Sequence, residues 1–203
     1  MKKYAVLHEP GDIVTLAGTR FVVLDVERRG SLPDSLFLLA LESVGESEFG
    51  SSNNYAESDL KKAVDKWLED MGKKGLDNAK LIPREIDLTT LDGSGRYGKL
   101  SVKAAPLTLD AARQYDDIIP KAERWCWLAT GWSGPSKSDG DLALYVYSNG
   151  GWNSNSCSNS CGIRPALKVP SILFEDSETG LDLSKIPTDD LLQEIHRRLA
   201  EKA

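Results

Sequence analysis

The stretch SNGGWNSNSCSNSCGIRPAL, Ser148 to Leu167, joins a polar segment to an apolar ending that contains an arginine. Nine of the thirteen residues from Ser148 to Ser160 are Ser or Asn. Such a segment does not belong in a core, because its side chains would carry unpaired hydrogen-bonding groups into an apolar medium. Strand patterns flank it on both sides. The sequence therefore predicts a surface loop that a rigid scaffold holds at a defined place.

The segments before this loop have the alternation of half-buried strands. In DLALYVYS the two predicted faces carry Leu142, Leu144 and Val146 on one side and Ala143, Tyr145 and Tyr147 on the other. In ERWCWLATGWSG the same alternation pairs Trp125 with Trp127, and Cys126 with Leu128. After the loop, CGIRPALKVP is predicted to form the closing strand.

The first half of the chain predicts a hairpin, a third strand and a helix. Strands are expected near Ile13 to Leu16 and Arg20 to Val26, around an Ala-Gly turn, and the apolar run SLFLLALES suggests a strand in the centre of a sheet. The helix runs from Asp59 to Met71, with Ser58 as its N-cap and Gly72 after its end. A shorter helix is expected after Thr108.

These elements indicate an α+β fold with mainly antiparallel strands and two flanking helices. The length suits one domain with one core, over residues 1–170. Residues 171–203 are expected to form an acidic linker and a short C-terminal helix from Thr188, with acids in its first turn and arginines near its end.

The overall composition narrows the classes of partner. A net charge of -6 without a cluster of Lys and Arg argues against nucleic acid, and no apolar run is long enough to span a membrane. The N-terminus has no apolar region typical of a signal peptide, so we expect synthesis in the cytoplasm.

Several motifs resemble catalytic or metal-binding motifs, but the residues around them do not fit that chemistry. GSGRYG, Gly93 to Gly98, matches a dinucleotide-binding pattern but precedes a proline-ended, strand-like segment, so a turn is favoured. Cys157 and Cys161 lack further soft ligands for zinc, and free thiols are favoured for all three cysteines. His8 and His196 stand in no catalytic motif. The pairs Asp116–Asp117 and Asp139–Asp141 could bind calcium, but solvated acids are favoured; no cofactor or metal is predicted.

An ordered set of segments resembles the C-type-lectin-fold domains of bacteriophage tail and adhesin proteins. The segments are NNYAESDLKKAVDKWL, LTLDAARQYDDIIP, WCWLATG, ALYVYSNG and GIRPALKV, between Ile13 and Val169. Within that group the chain resembles the variable proteins of diversity-generating retroelements, which use this fold to present a diversified ligand-binding surface. Adenine-directed mutation of AAC or AAT codons can reach every residue type from Tyr147 to Cys161 except Trp152. The chain departs from the family where Ala129 follows Trp-Leu in place of an arginine.

The resemblance implies a non-enzymatic protein that recognises a cell-surface protein or glycan, in a phage tail or virion. The implied ligand-facing residues are Tyr147, Ser148, Asn149, Gly151, Trp152, Asn153, Asn155, Cys157 and Asn159, bordered by Ser133, Ser136 and Ser138. Arg164 is expected to be structural and to donate hydrogen bonds to several carbonyls.

Two other functions remain open at this point. One is an oxidase related to formylglycine-generating enzymes, which share the lectin fold and use a cysteine pair with a metal. The other is a structural virion or assembly protein, in which the C-terminal helix contacts phage tail proteins or a second copy of the chain.

Overall fold

The computed structural model describes residues 8–29, 32–135, 139–174 and 189. In chain order the strands are β1 Ile13–Leu16, β2 Thr19–Arg29, β3 Leu32–Ala40, β4 Glu46–Glu48, β5 Arg84–Asp87, β6 Lys99–Val102, β7 Ala104–Ala105, β8 Cys126–Gly131, β9 Leu142–Val146, β10 Trp152–Ser156, β11 Ser160–Gly162 and β12 Ala166–Pro170. The helices are α1 Asp59–Lys73 and α2 Leu109–Gln114, with short 3-10 turns at Tyr55–Glu57 and Ser171–Phe174.

The strands form two five-stranded sheets and one two-stranded sheet. The first sheet has the order β1-β2-β3-β12-β7, the second β10-β9-β8-β11-β4, and β5 pairs with β6. Among the described residues, all the strand pairings are antiparallel except the short contact between β11 and β8. The α+β class is therefore confirmed, and β3 lies in the centre of its sheet as its apolar sequence predicts.

The described residues bury two apolar clusters where one core was expected. Alternate residues of β2 point to opposite sides, so Phe21 and Val23 belong to the larger cluster and Val22 and Leu24 to the smaller one. Helix α1 contributes to the larger cluster, and α2, through Leu109, to the smaller. Two clusters form because the central strands are apolar on both faces, and each apolar face must pack against another element to be shielded from water.

Both helices begin where the sequence predicts, but α1 ends at a different residue from the one predicted. The Ser58 hydroxyl accepts a hydrogen bond from the Lys61 amide at 2.9 Å, so this predicted N-cap is confirmed. The shorter helix starts after Thr108 as predicted, and the Thr108 hydroxyl caps it by accepting from the Ala111 amide. Gly72 was expected to follow α1 and instead lies inside it. The helix ends at Lys73, and Gly75, with φ of 104°, supplies the left-handed backbone.

The packed unit extends past Pro170. Phe174 is buried, and its ring lies edge-on to His8 with ring centres 5.4 Å apart. The end of the described domain therefore packs against its beginning. The predicted C-terminal helix lies outside the described residues, apart from Asp189. Within the described part of the chain, no helix is long and apolar enough to cross a membrane.

Candidate functional site

The polar segment was predicted to be a loop, and the structure corrects this. Residues Trp152–Ser156 form β10, which pairs with β9, and Ser160–Gly162 form β11, which pairs with β4 and β8. The connection from β9 to β10 is a tight turn in which the Tyr147 amide donates to the Gly151 carbonyl and Gly150 has φ of 94°. The segment is ordered by strand pairing: β10 lies at an edge of the second sheet, and β11 lies inside it, between β8 and β4.

The alternation in β9 is confirmed, and it divides the predicted site between two faces of the sheet. Ala143, Tyr145 and Tyr147 pack with the larger cluster, whereas Leu144 and Val146 pack with the smaller. Because cross-strand partners share a face, Asn153 lies on the Tyr145 face. Trp152 is paired with Val146 and lies on the opposite face.

Three aromatic rings form a compact group on the Tyr145 face. Trp125 stacks on Tyr145 with ring centres 5.1 Å apart, and it meets Tyr147 edge-on at 5.3 Å. Tyr145 and Tyr147 are 4.9 Å apart, also edge-on. Tyr145 is buried, Tyr147 is half-buried and Trp125 is 48% exposed. The group therefore presents a large, wide ring to solvent on a buried aromatic support.

Asparagine side chains extend this group along the edge of the sheet. The Asn153 amide nitrogen donates to the Tyr147 hydroxyl at 3.0 Å, and the Asn159 amide nitrogen donates to Asn155 Oδ1 at 2.7 Å. Hydrogen bonds from Tyr145 and Asn153 lower the pKa of Tyr147, whereas burial raises the pKa of Tyr145. We call Trp125, Tyr145, Tyr147, Asn153, Asn155 and Asn159 the aromatic–amide face.

The exposure of the predicted site residues varies. Exposed or half-buried are Tyr147, Ser148, Asn149, Gly151, Trp152, Asn153, Asn155 and Asn159. Cys157 and Ser133 were predicted to face a ligand, but they are 1% and 2% exposed, so their assignment to the surface is wrong. Cys157 is buried because it packs in the larger apolar cluster just after β10. Ser136 and Ser138 lie outside the described residues.

Trp125 is a surface residue that the sequence-based site does not include. Its position one residue before β8 puts it on the same face as Trp127, which is buried and donates its indole N–H to the Ser47 carbonyl at 2.9 Å. The sequence contains a signal that could have identified this aromatic group. Two tryptophans, Trp125 and Trp127, stand at alternate positions, and so do two tyrosines, Tyr145 and Tyr147, further along the chain.

The cysteines are all free and buried. Burial raises the pKa of Cys126 to about 11 and that of Cys157 to about 12, and it raises the pKa of Cys161 as well. At neutral pH these groups are thiols, which are poor nucleophiles and poor metal ligands. Within the described residues, no group of three or more His, Cys, Asp or Glu side chains could hold a metal ion. His196 lies outside those residues.

GSGRYG and Arg164 both have structural roles. GSGRYG leads into strand β6 and not into a helix, and the hydroxyl of its Tyr97 donates to Asn53 Oδ1 at 2.6 Å. The turn predicted there is confirmed.

Arg164 is buried between β11 and β12; its Nε donates to the Ala40 carbonyl at 3.0 Å and its Nη1 to the Pro120 carbonyl at 3.2 Å. Its predicted structural role is confirmed, although it lies outside a strand.

No protein-family model, curated protein or solved structure matches this chain.

Proposed function

We propose that this protein is a non-enzymatic binding module that recognises a cell-surface glycan or protein through the aromatic–amide face. The observation that carries the proposal is the exposed Trp125 ring, stacked at 5.1 Å on a tyrosine that is itself buried. An exposed indole on a fixed support offers a wide apolar contact at little cost in conformational entropy.

The amides beside the rings supply directional hydrogen bonding. The side chains of Asn153 and Asn155 are held by internal hydrogen bonds, so little side-chain entropy remains to be lost when a ligand binds. A sugar ring has one apolar face and a rim of hydroxyls, which matches an indole flanked by tyrosine and asparagine. The aromatic–amide face therefore suits a glycan better than a flat apolar protein surface.

The lectin-type fold and the setting in a phage tail or virion belong to the same proposal. They are supported by the ordered segments between Ile13 and Val169 that resemble the lectin-fold domains. The mainly antiparallel α+β architecture is compatible with that resemblance. In this proposal the segment from Tyr147 to Cys161 is the diversified surface, and Trp152 is a constant residue within it.

The proposal is tested by applying the labelled protein to an array of bacterial surface glycans, in parallel with the variant Trp125→Ala. We expect wild type to bind at least one glycan and Trp125→Ala to bind it at least tenfold more weakly, which corresponds to a loss of about 1.4 kcal/mol. The matched control is Trp152→Ala, which removes an exposed indole from the opposite face of the sheet.

Wild-type affinity in Trp125→Ala, with an unchanged melting temperature, would exclude the aromatic–amide face as the binding site. Absence of binding to every glycan would exclude the glycan part of the proposal. Binding that is lost in Trp152→Ala and kept in Trp125→Ala would place the site on the other face.

A further inference from the structure

A cavity of about 260 Å³ lies on the side of the second sheet opposite to the aromatic–amide face. Its walls come from helix α2, the segment that follows it as far as Ala122, and the strands β8 and β9. The volume is slightly below the range of about 300–1,000 Å³ typical of small-molecule sites. The cavity is large enough for a small organic ligand, and of the aromatic–amide face only Tyr147 is among its described lining residues.

The interior of the cavity is apolar. Buried leucines form its inner wall, and Val146 and Ala112 complete it on the strand and helix sides; the leucines are Leu39, Leu107, Leu109 and Leu128. An apolar chain placed there would be removed from water, which stabilises binding by roughly 25 cal/mol for each Å² of apolar surface buried. The walls therefore favour a hydrocarbon part in the ligand.

The lining has more positive than negative charge, although the chain as a whole has a net charge of -6. Arg113, Lys121 and Arg164 line the cavity, against one carboxylate, Asp116. Arg113 and Lys121 are exposed and so lie at the entrance, where Asp110 is 3.8 Å from Arg113. At the entrance Asp110 and Asp116 balance Arg113 and Lys121, so the net positive charge of the cavity comes from Arg164 in its wall and favours an anionic ligand.

The buried Arg164 carries this charge. Two of its nitrogens donate to the carbonyls of Ala40 and Pro120, and its Nη2 is buried without a hydrogen-bond partner. Carbonyl oxygens satisfy hydrogen bonds but do not neutralise the guanidinium charge. A buried, incompletely paired cation in the wall of an apolar cavity raises the affinity of that cavity for an anion.

The entrance also has an aromatic border. Trp152, which is 40% exposed, lies under the Arg113 guanidinium at 5.1 Å from its ring centre. The indole shields one side of the entrance and holds Arg113 beside it. Trp152 thus lines the cavity from the face of β10 opposite to Asn153.

We propose that this cavity binds a small amphipathic carboxylate, with its hydrocarbon chain against the leucines and its carboxylate at the entrance beside Arg113 and Lys121. The apolar walls select the chain, and the excess of positive charge selects the anion over the corresponding alcohol or amine. Arg113 can pair with a carboxylate through two parallel N–H groups.

The test uses octanoate, octanol and octylammonium as probes of the full chain, with calorimetry and tryptophan fluorescence as measurements. We expect one saturable site for octanoate, at least tenfold weaker binding of octanol, and no saturable binding of octylammonium. The double variant Arg113→Gln/Lys121→Gln should weaken octanoate binding at least tenfold, and Ala112→Phe, which fills the cavity, should abolish it.

The matched control is Lys62→Gln/Lys66→Gln, which removes the same charge from exposed positions on α1 and should bind octanoate as wild type does. Trp125→Ala should also leave octanoate binding unchanged, so this test and the glycan test can fail separately. Three results would each overturn the proposal: no saturable octanoate binding, equal affinity for octanol, or wild-type affinity in a folded Ala112→Phe variant.

Discussion

Asn53 connects two loops and the start of β9 through a side chain that is only 1% exposed. Its amide nitrogen donates to the carbonyls of Ser133 and Leu142 at 2.9 and 3.0 Å, and its Oδ1 accepts from the Tyr97 hydroxyl at 2.6 Å. A Cβ at Gly131 would lie 2.9 Å from Asn53, so the strand passes this close only as glycine. The asparagine therefore holds these segments together through side-chain hydrogen bonds, in addition to the backbone bond from the Trp132 amide to the Leu142 carbonyl.

We predict that Asn53→Ala destabilises the protein by about 1–3 kcal/mol, since it leaves buried hydrogen-bonding groups without partners. Urea unfolding followed by fluorescence measures the change. Asn159→Ala, at an exposed asparagine, is the control and should stay within about 0.5 kcal/mol of wild type. Equal stability of the two variants would show that the hydrogen bonds of Asn53 do not stabilise the fold.

Sequence patterns could not identify residues of this kind. Asn53 lies in a run of Ser and Asn, and polar residues in such runs are mostly exposed. Its burial results from three segments that are distant in sequence and meet at one point. Arg164 was easier to interpret, because an arginine between apolar residues must find acceptors nearby, and the predicted carbonyl partners are present.

At the scale of elements, β10 is an edge strand in which four of the five residues are Asn or Ser, residues that are common in turns. Asparagine side chains compensate for the missing neighbour on its outer side. Asn153 Oδ1 accepts from the amide of Ser154 at 2.8 Å, and Asn155 Oδ1 accepts from the amide of Ser156 at 3.0 Å. The asparagines thus occupy donors that an edge strand would otherwise offer to another chain.

This arrangement predicts that the double variant Asn153→Ala/Asn155→Ala self-associates more than wild type. The freed amide groups of Ser154 and Ser156 would then be available to pair with a strand of a second molecule. Light scattering after size-exclusion chromatography, at matched concentration, measures the average mass. The control Asn149→Ala/Asn159→Ala removes two asparagines outside β10, and an unchanged mass in both variants would contradict the edge role.

The same strand shows where prediction from local sequence stops. Ser and Asn indicate a loop, and the segment becomes a strand because β9 pairs with it in full register, from Trp152 opposite Val146 to Ser156 opposite Leu142. In contrast, α1 has its apolar face and its N-cap within a few residues, so its start and its buried side were predicted correctly. Its end was missed because Gly75, and not Gly72, adopts the left-handed conformation.

At the scale of the molecule, the sheets depend on strand pairings that local sequence patterns do not predict. Strand β12 pairs with β3, and β11 with β4, across more than a hundred residues. Local alternation predicts that each strand exists and which of its faces is apolar, but not its neighbour. The division of β9 into a tyrosine face and a leucine face was therefore predictable, whereas the cavity, which requires α2 to lie against β8 and β9, was not.

The two ends of the described domain meet at His8, and this contact makes stability depend on pH. Burial lowers the pKa of His8, an effect that Asp12, 3.9 Å away, partly offsets, and its Nε2 is buried without a partner. The folded state thus favours the neutral imidazole. As pH falls below the unfolded value of about 6.5, the unfolded chain takes up a proton first, so the free energy of unfolding decreases until the folded pKa is passed.

We predict that the melting temperature of wild type falls between pH 7 and pH 5 by more than that of His8→Gln, which has no imidazole to titrate. Asp12→Asn should show a larger fall than wild type, because it removes the carboxylate that favours the charged ring. Calorimetric melting curves at fixed ionic strength measure these differences. If His8→Gln and wild type lose the same stability over this range, the imidazole beside Phe174 is not protected from protonation, and the junction of the two ends does not control the response to acid.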